Sequence, residues 1–438
     1  MKTFNVPIIY RSPLITAIKN RRRLEDKMKK DFTPALLDLG DVSIYLARHF
    51  GFCYGVENAI EISFRTIDDH PDRRIFLLSE MIHNPQVNAD LQSRGVRFLQ
   101  DTYGRQLIPF EELNAEDIVI VPAFGTTLEI EEKLHSIGIQ TERYNTTCPF
   151  VEKVWNRSAQ IAKKKYTVIV HGKPGHEETR ATFSHAAAET PTVVVRDMQE
   201  ARELAGYITG ENEDAGFYAR FKGQYSEGFD VRRDLERIGV VNQTTMLASD
   251  TQAIADFLRQ TMIARFGLTD DMAGERFADT RDTLCYATLD NQSAVTSLLE
   301  TPADLAIIVG GYNSSNTSHL VELCEEKLPT YFISSEEKIL SKEEILHYDF
   351  HHKQEKLTTG WLRPFAQSSP AQGDTTGWLP SPARLGATQA GSPVPHHPLR
   401  ILISSGASCP DALVESVIRK LGGYFGAEDA LDRLSTPS

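Results

Sequence analysis

One unit recurs along this chain and limits what it can fold into: a short apolar run, a polar loop, then a helical stretch. Thr146-Thr147-Cys148-Pro149-Phe150 opens a helical run through Lys153 and Trp155. The apolar run 166–170 follows and ends in His171-Gly172-Lys173-Pro174-Gly175-His176-Glu177-Glu178-Thr179. A thiol, two imidazoles, a lysine and two carboxylates therefore sit at the ends of regular elements, in loops that a rigid scaffold can present.

The other units place similar chemistry in the same way. The run 42–47 leads to Phe52-Cys53-Tyr54-Gly55-Val56, with Val56 and Ile60 on one helix face. The run 75–78 leads to His83-Asn84-Pro85, and the run 117–121 to Phe124-Gly125-Thr126-Thr127. The run 239–242 ends in Gln243-Thr244-Thr245, and Leu284-Cys285-Tyr286-Ala287-Thr288 precedes a helix expected near Asp290. The run 305–309 ends in Gly310-Gly311-Tyr312-Asn313-Ser314-Ser315-Asn316, and the run 399–403 in Ser404-Ser405-Gly406-Ala407-Ser408-Cys409.

Each of these residues has an ordinary reading beside a functional one. A cysteine at a helix start gains from amide dipoles that favour the thiolate, but a lone cysteine is more often a small apolar packing residue. His83 in its loop is a satisfied polar group or faces an anion at the next helix N-terminus. Thr244 is a helix cap or a ligand-facing hydroxyl. The Ser/Asn-rich loop at 313–318 offers donors suited to phosphate, although such residues also make plain turns. Cys324 falls mid-helix and reads as core, and Cys409 lacks the neighbours shared by the other three cysteines.

Composition narrows the class. The net charge of −13 argues against a general nucleic-acid binder, which needs a basic face to neutralise phosphates. No apolar run approaches the roughly 18 residues of a membrane helix. Five cysteines, widely spaced and without a C-x-x-C pair, fit neither a disulfide framework nor a zinc finger. The expected compartment is the cytoplasm. The plastid stroma replaces it if the basic N-terminal arm, with Lys19, Arg21, Arg22, Arg23, Lys27, Lys29 and Lys30, is a targeting segment. Otherwise that arm reads as a solvated helix or as a docking patch. Residues 210–230 are polar and read as an insertion loop. Around 338–397 the composition shifts, TTGWL occurs twice, and the segment reads as a low-complexity insertion.

Taken together, GFCYGVENAI, HNPQV, PAFGTT, NTTCPFVEKVWN, HGKPGHEETRAT, NQTTM, CYAT, GGYNSSNTSHL and SSGASCPD resemble the hydroxymethylbutenyl diphosphate reductase family, in its plant and cyanobacterial form. The motifs run in the family's order over about residues 41–421. The resemblance implies an α/β fold of three pseudo-symmetric domains with parallel sheets, arranged as a trefoil around a central iron–sulfur cavity. On this chain it implies a basic arm at 1–41, domains at 42–144 and 145–280, a third domain from 281–337 with 398–425, and the insertion at 338–397.

Carried over by motif, Cys53, Cys148 and Cys285 would hold one 4Fe–4S cluster, three ligands leaving one iron open to the substrate hydroxyl. His83, His176, Ser314, Ser315, Asn316 and Ser408 would bind the substrate diphosphate. The family often has a further histidine where this chain has Phe124, and Lys173 would supply compensating charge. Glu178 would deliver the proton that makes hydroxide a tolerable leaving group, and Thr244 would orient it. The implied reaction is reductive dehydroxylation to isopentenyl and dimethylallyl diphosphate, the last step of the methylerythritol phosphate route, fed by a ferredoxin or flavodoxin. No nucleic acid or membrane is implied as a partner. The alternatives are a non-catalytic iron–sulfur sensor, which would not need Glu178 and Thr244, and a quinolinate-synthase-like lyase or three-cysteine zinc protein, which the motif order and spacing do not suit.

Overall fold

Apolar runs with burial on both faces become parallel strands here, and each hands over to a helix at its carboxyl end. A computed structural model describes residues 4–28, 30–278, 283–362 and 398–435. In chain order the strands are β1 (Ala35–Asp38), β2 (Val42–Leu46), β3 (Ile75–Leu77), β4 (Arg97–Phe98), β5 (Ile118–Ile120), β6 (Thr167–His171) and β7 (Thr192–Val195). There follow β8 (Ile238–Asn242), β9 (Phe277–Ala278), β10 (Leu305–Val309), β11 (Thr330–Ile333), β12 (Glu344–Asp349), β13 (Gln354–Thr359) and β14 (Leu399–Ser405).

They form three open sheets and one hairpin. The first sheet has the order β4-β3-β5, the second β7-β6-β8-β9, and the third β1-β2-β14-β10-β11. Pairing within them is parallel except at the β1/β2 edge. Every residue of β3, β5, β6, β8 and β10 is buried, as expected of strands covered on both faces.

The third sheet draws on both ends of the chain. β14 lies between β10 and β2, with Ile401 opposite Leu305 on one side and Ile44 on the other. Residues 42–46 therefore belong to the third unit, whereas sequence order had put them in the first. Adjacency along the chain misleads here because the partner strand lies at the far end of the sequence.

Three segments pack where sequence alone placed solvated or irregular chain. The basic arm carries the helix Pro13–Glu25, capped by the Ser12 side chain, with Leu14 and Ile15 fully buried. The Ser12 hydroxyl donates to Glu415, and Lys19 Nζ bonds Asp411 at 2.7 Å and the Phe50 carbonyl at 3.0 Å. The segment 210–230 contains the helix Asp214–Arg220, whose Phe217 stacks on Phe221 at 5.1 Å and on Phe229 at 5.2 Å. Residues 344–359, counted with the insertion, pair as the β12/β13 hairpin, and Trp361 beyond it is buried against Tyr331. Its continuation, 363–397, lies outside the described residues.

The docked arm makes a measurable claim. Ile15→Ala should cost about 2–5 kcal/mol, the range for deleting a buried aliphatic side chain. A solvated arm would keep the change within about 0.5 kcal/mol. Thermal melting decides between them, and an unchanged midpoint would refute the docking.

A candidate active site at three helix starts

Cys53, Cys148 and Cys285 are each the residue immediately before a helix, namely Tyr54–Asp69, Pro149–Lys163 and Tyr286–Leu298. Each has extended backbone angles, which turn its side chain toward the amides of the first turn. Those amides act on the sulfurs: Gly55 and Val56 on Cys53, Phe150 on Cys148, and Ala287 and Thr288 on Cys285. All three thiols line one central cavity, whose empty space is about 640 Å³ with its mouth included.

Burial is the main cause that raises all three thiols, and Cys53 is pushed up to about 11. Each of Cys53 and Cys148 is also raised by neighbouring thiols, so the three sulfurs sense one another. Gly55 makes room for this: a Cβ there would stand 2.5 Å from the Cys148 sulfur. Among the described residues, no three His, Cys, Asp or Glu side chains come close enough to share a single metal ion.

The opposite end of the cavity is built from hydroxyls, an amide and two imidazoles. Ser314 caps the helix Ser315–Glu325, its side chain accepting from the Thr317 amide at 3.2 Å. Asn316 is 3% exposed and uses its Oδ1 to accept from the Ala407 amide at 2.9 Å. Its Nδ2 is buried without a partner among the described residues, although an unpaired buried donor is costly. An oxygen-rich anion in the cavity would relieve it.

Ser408 donates to the His83 carbonyl at 3.2 Å. Gly311 permits this approach, since a Cβ there would fall 2.1 Å from the same carbonyl oxygen. The Nε2 atoms of His83 and His176 lie 3.3 Å apart. Phe124 stacks on His83, ring centres 4.3 Å apart and planes at 23°.

Between the two ends stands Glu178, in the first turn of the helix Glu177–Ala187 and 1% exposed. Its Oε1 accepts from the Thr244 amide at 2.5 Å, and its own amide donates to His176 Nδ1 at 3.2 Å. Burial pushes its carboxyl up to about 7, against the opposing pull of Thr244 and His83. The site thus holds an acid able to carry a proton near neutrality.

Of the residues to which the resemblance gave a site role, the cavity is lined by all except Lys173; His171 and Glu177 from the same loop do not line it either. Burial lowers the Lys173 pKa, and the charges acting on it are those of Glu322 and Lys353. Its backbone amide instead donates to Gln243, which ties the 171–176 loop to the Thr244 turn. Sequence reasoning passed over Thr245 and Thr288, which also line the cavity. Thr288 carried a readable signal: it stands three residues after Cys285, where a first-turn hydroxyl can reach back to the capping residue, and its hydroxyl acts on that thiol.

Comparison with known proteins gives one consistent family. The LytB protein family matches residues 44–422. A Picosynechococcus protein named 4-hydroxy-3-methylbut-2-enyl diphosphate reductase is 39% identical over 386 residues, covering 88% of this chain and 85% of that one. A Gloeobacter violaceus protein of the same name is 34% identical over 435 residues, covering 95% and 94%. Among solved structures, the E-1-hydroxy-2-methyl-but-2-enyl-4-diphosphate reductase from Plasmodium falciparum shares the fold. Its TM-score is 0.56 at 19% identity, with 86% of each chain covered.

Proposed function

The chain belongs to the LytB protein family, and we propose that its central cavity carries out the reductive dehydroxylation of (E)-4-hydroxy-3-methylbut-2-enyl diphosphate to isopentenyl and dimethylallyl diphosphate. The observation that carries this reading is the pairing of two unlike ends in one cavity: three thiols at helix starts, and an anion cradle with an orphaned Asn316 amide. A buried acid stands between them.

The family is an iron–sulfur one, and the donor set here fits that group. Three soft thiols, already in mutual electrostatic contact and each met by first-turn amides, suit a cluster better than a single ion. Bound by Cys53, Cys148 and Cys285, a 4Fe–4S cluster would supply electrons singly and one iron that no cysteine claims. The thiols lose their protons when they become ligands, so loading releases protons.

The chain's own residues do the rest. The diphosphate would lie against Asn316 Nδ2, the hydroxyls of Ser314, Ser315 and Ser408, and the rings of His83 and His176. The amino end of the helix Ser315–Glu325 adds its dipole. Among the described residues no lysine or arginine lines the cavity, and amides, hydroxyls and imidazoles would contact the phosphate oxygens. Glu178 would then break its carboxyl O–H bond to protonate the departing hydroxyl, which leaves as water. Thr244 holds that carboxyl in place by donating its amide. Two electrons enter and a second proton goes to carbon, which balances the reaction.

The donor class that fits one-electron delivery is a ferredoxin or flavodoxin. The basic arm offers such a donor less than its sequence implied. Lys19 is paired with Asp411, and Arg22 with Glu25 and Asp31. Among the described residues, no helix is long and apolar enough to cross a membrane.

Anaerobic turnover by cluster-loaded protein, with a reduced viologen as donor, is expected to yield both five-carbon diphosphates. No product from fully loaded protein would overturn the reading. Glu178→Gln should lower kcat by about 10²–10⁴ while leaving the cluster absorbance intact. The acid must be protonated to act, so the wild-type rate should fall as pH rises through about 7, the value to which burial lifts Glu178. A rate independent of pH there would remove Glu178 from the acid role. Gly55→Ala should cut iron and sulfide content per chain, because its Cβ would press on the Cys148 sulfur. Normal iron content in that variant would show that the contact is not limiting.

A further inference from the structure

Glu177 has no part in the scheme above, yet it is not placed like a packing residue. It is 6% exposed, and neither carboxyl oxygen makes a well-formed hydrogen bond among the described residues, with Ser79 the nearby hydroxyl that favours its charged form. Its Oε2 stands 3.8 Å from His83 Nε2. A carboxyl left unpaired in the interior is costly unless it does something there.

The tautomers of the two histidines follow from their contacts. His176 Nδ1 accepts the Glu178 amide at 3.2 Å and so carries no proton. Burial above all, with the charges of Lys173 and Arg180, pushes His176 well below the usual imidazole range, so it is neutral with its proton on Nε2. That proton points along the 3.3 Å contact to His83 Nε2. Two N–H groups cannot face each other, so His83 Nε2 is bare and the His83 proton lies on Nδ1, 3.3 Å from Glu80 Oε2.

A phosphate oxygen that enters between the rings meets two unlike groups. His176 offers an N–H at once. His83 offers a lone pair, which repels the oxygen until Nε2 gains a proton. We propose that Glu177 is the positioning residue that supplies it. As the diphosphate parts the two rings, the Glu177 Oε2–H bond breaks and an Nε2–H bond forms on His83. The imidazolium then holds the phosphate beside the new carboxylate.

Other features agree with this transfer. Burial above all, with the nearby Glu80 charge adding to it, pushes the Glu177 carboxyl up to about 7 against the opposing pull of Ser79 and Arg180, so it stores a proton near neutrality. Glu80 anchors the far nitrogen of His83, and the face of Phe124 lies against the ring, so the ring is held in place. Glu178 also faces His83 electrostatically, but it is bound to the Thr244 amide.

The inference rests on reading this end of the cavity as a diphosphate site, and its test separates the two. Inorganic pyrophosphate is titrated calorimetrically into cluster-loaded protein, in buffers of different ionisation enthalpy, for wild type, Glu177→Gln and Glu177→Asp. The ligand's own protonation cancels in the comparison. Glu177→Gln should take up about one more proton per pyrophosphate than wild type, and should lose affinity about tenfold per pH unit above neutrality. Glu177→Asp, which keeps an ionisable group, should restore the wild-type count and shows that the site tolerates change. Equal proton uptake in wild type and Glu177→Gln would overturn the role of Glu177 alone. An absence of binding in every protein would overturn the diphosphate reading together with it.

Discussion

Everything in this molecule depends on helix amino ends meeting at one point. Parallel strands deliver their following helices at their carboxyl edges, so the unpaired first-turn amides of several helices gather around a common space. The chain as a whole carries −13, and among the described residues its cavity has no lysine or arginine in its lining. Thiolates and a diphosphate would nevertheless have to share it. Oriented amides and dipoles can do this because they are fixed in place and need no counter-charge of their own. The three cysteines sit where that field is strongest, each as a helix-capping residue.

The third sheet holds the two ends of the site in register. β2 feeds the Cys53 loop, and β14 feeds the loop carrying Ser408. The two strands are direct neighbours. The Cys53 amide donates to the Ala407 carbonyl at 3.2 Å, so the Cys53 loop and the Ser408 loop are joined by backbone. The close approaches of Gly55 to the Cys148 sulfur and of Gly311 to the His83 carbonyl tie further elements to the same frame. At both positions a single added carbon would force a shift, which is a physical reason for glycine at each.

Much of this was legible from residues that report locally. Runs such as Leu305–Val309 show burial in their own composition, and a cysteine followed by a helical pattern shows its position at a helix start. What was not legible depended on distant partners. The strand at 42–46 looks like the start of the first unit until β14 is seen beside it. Leu14 and Ile15 look like two apolar residues in a basic arm until the carboxyl-terminal helices cover them. Phe217 and Phe221, one helical turn apart, were hidden by the polar residues around them. Lys173 shares a loop with His176, but sharing a loop does not fix where a side chain goes.

Phe124 then becomes intelligible as more than a missing imidazole. His83 and His176 are in contact, and burial already forces His176 toward its neutral form. A third imidazole packed against both would face the same penalty and add little further charge. A phenyl ring avoids that competition and presents its electron-rich face to His83. It also meets His176 edge-on, with ring centres 5.6 Å apart, and so fixes both rings at once. The site therefore gains more from steadying two rings than from crowding in a third, and the adjacent carboxyls of the following helix can divide the proton work. Glu178 is held by a backbone amide toward the reacting end. Glu177 stands beside the His83 ring without a well-formed hydrogen bond on its carboxyl oxygens.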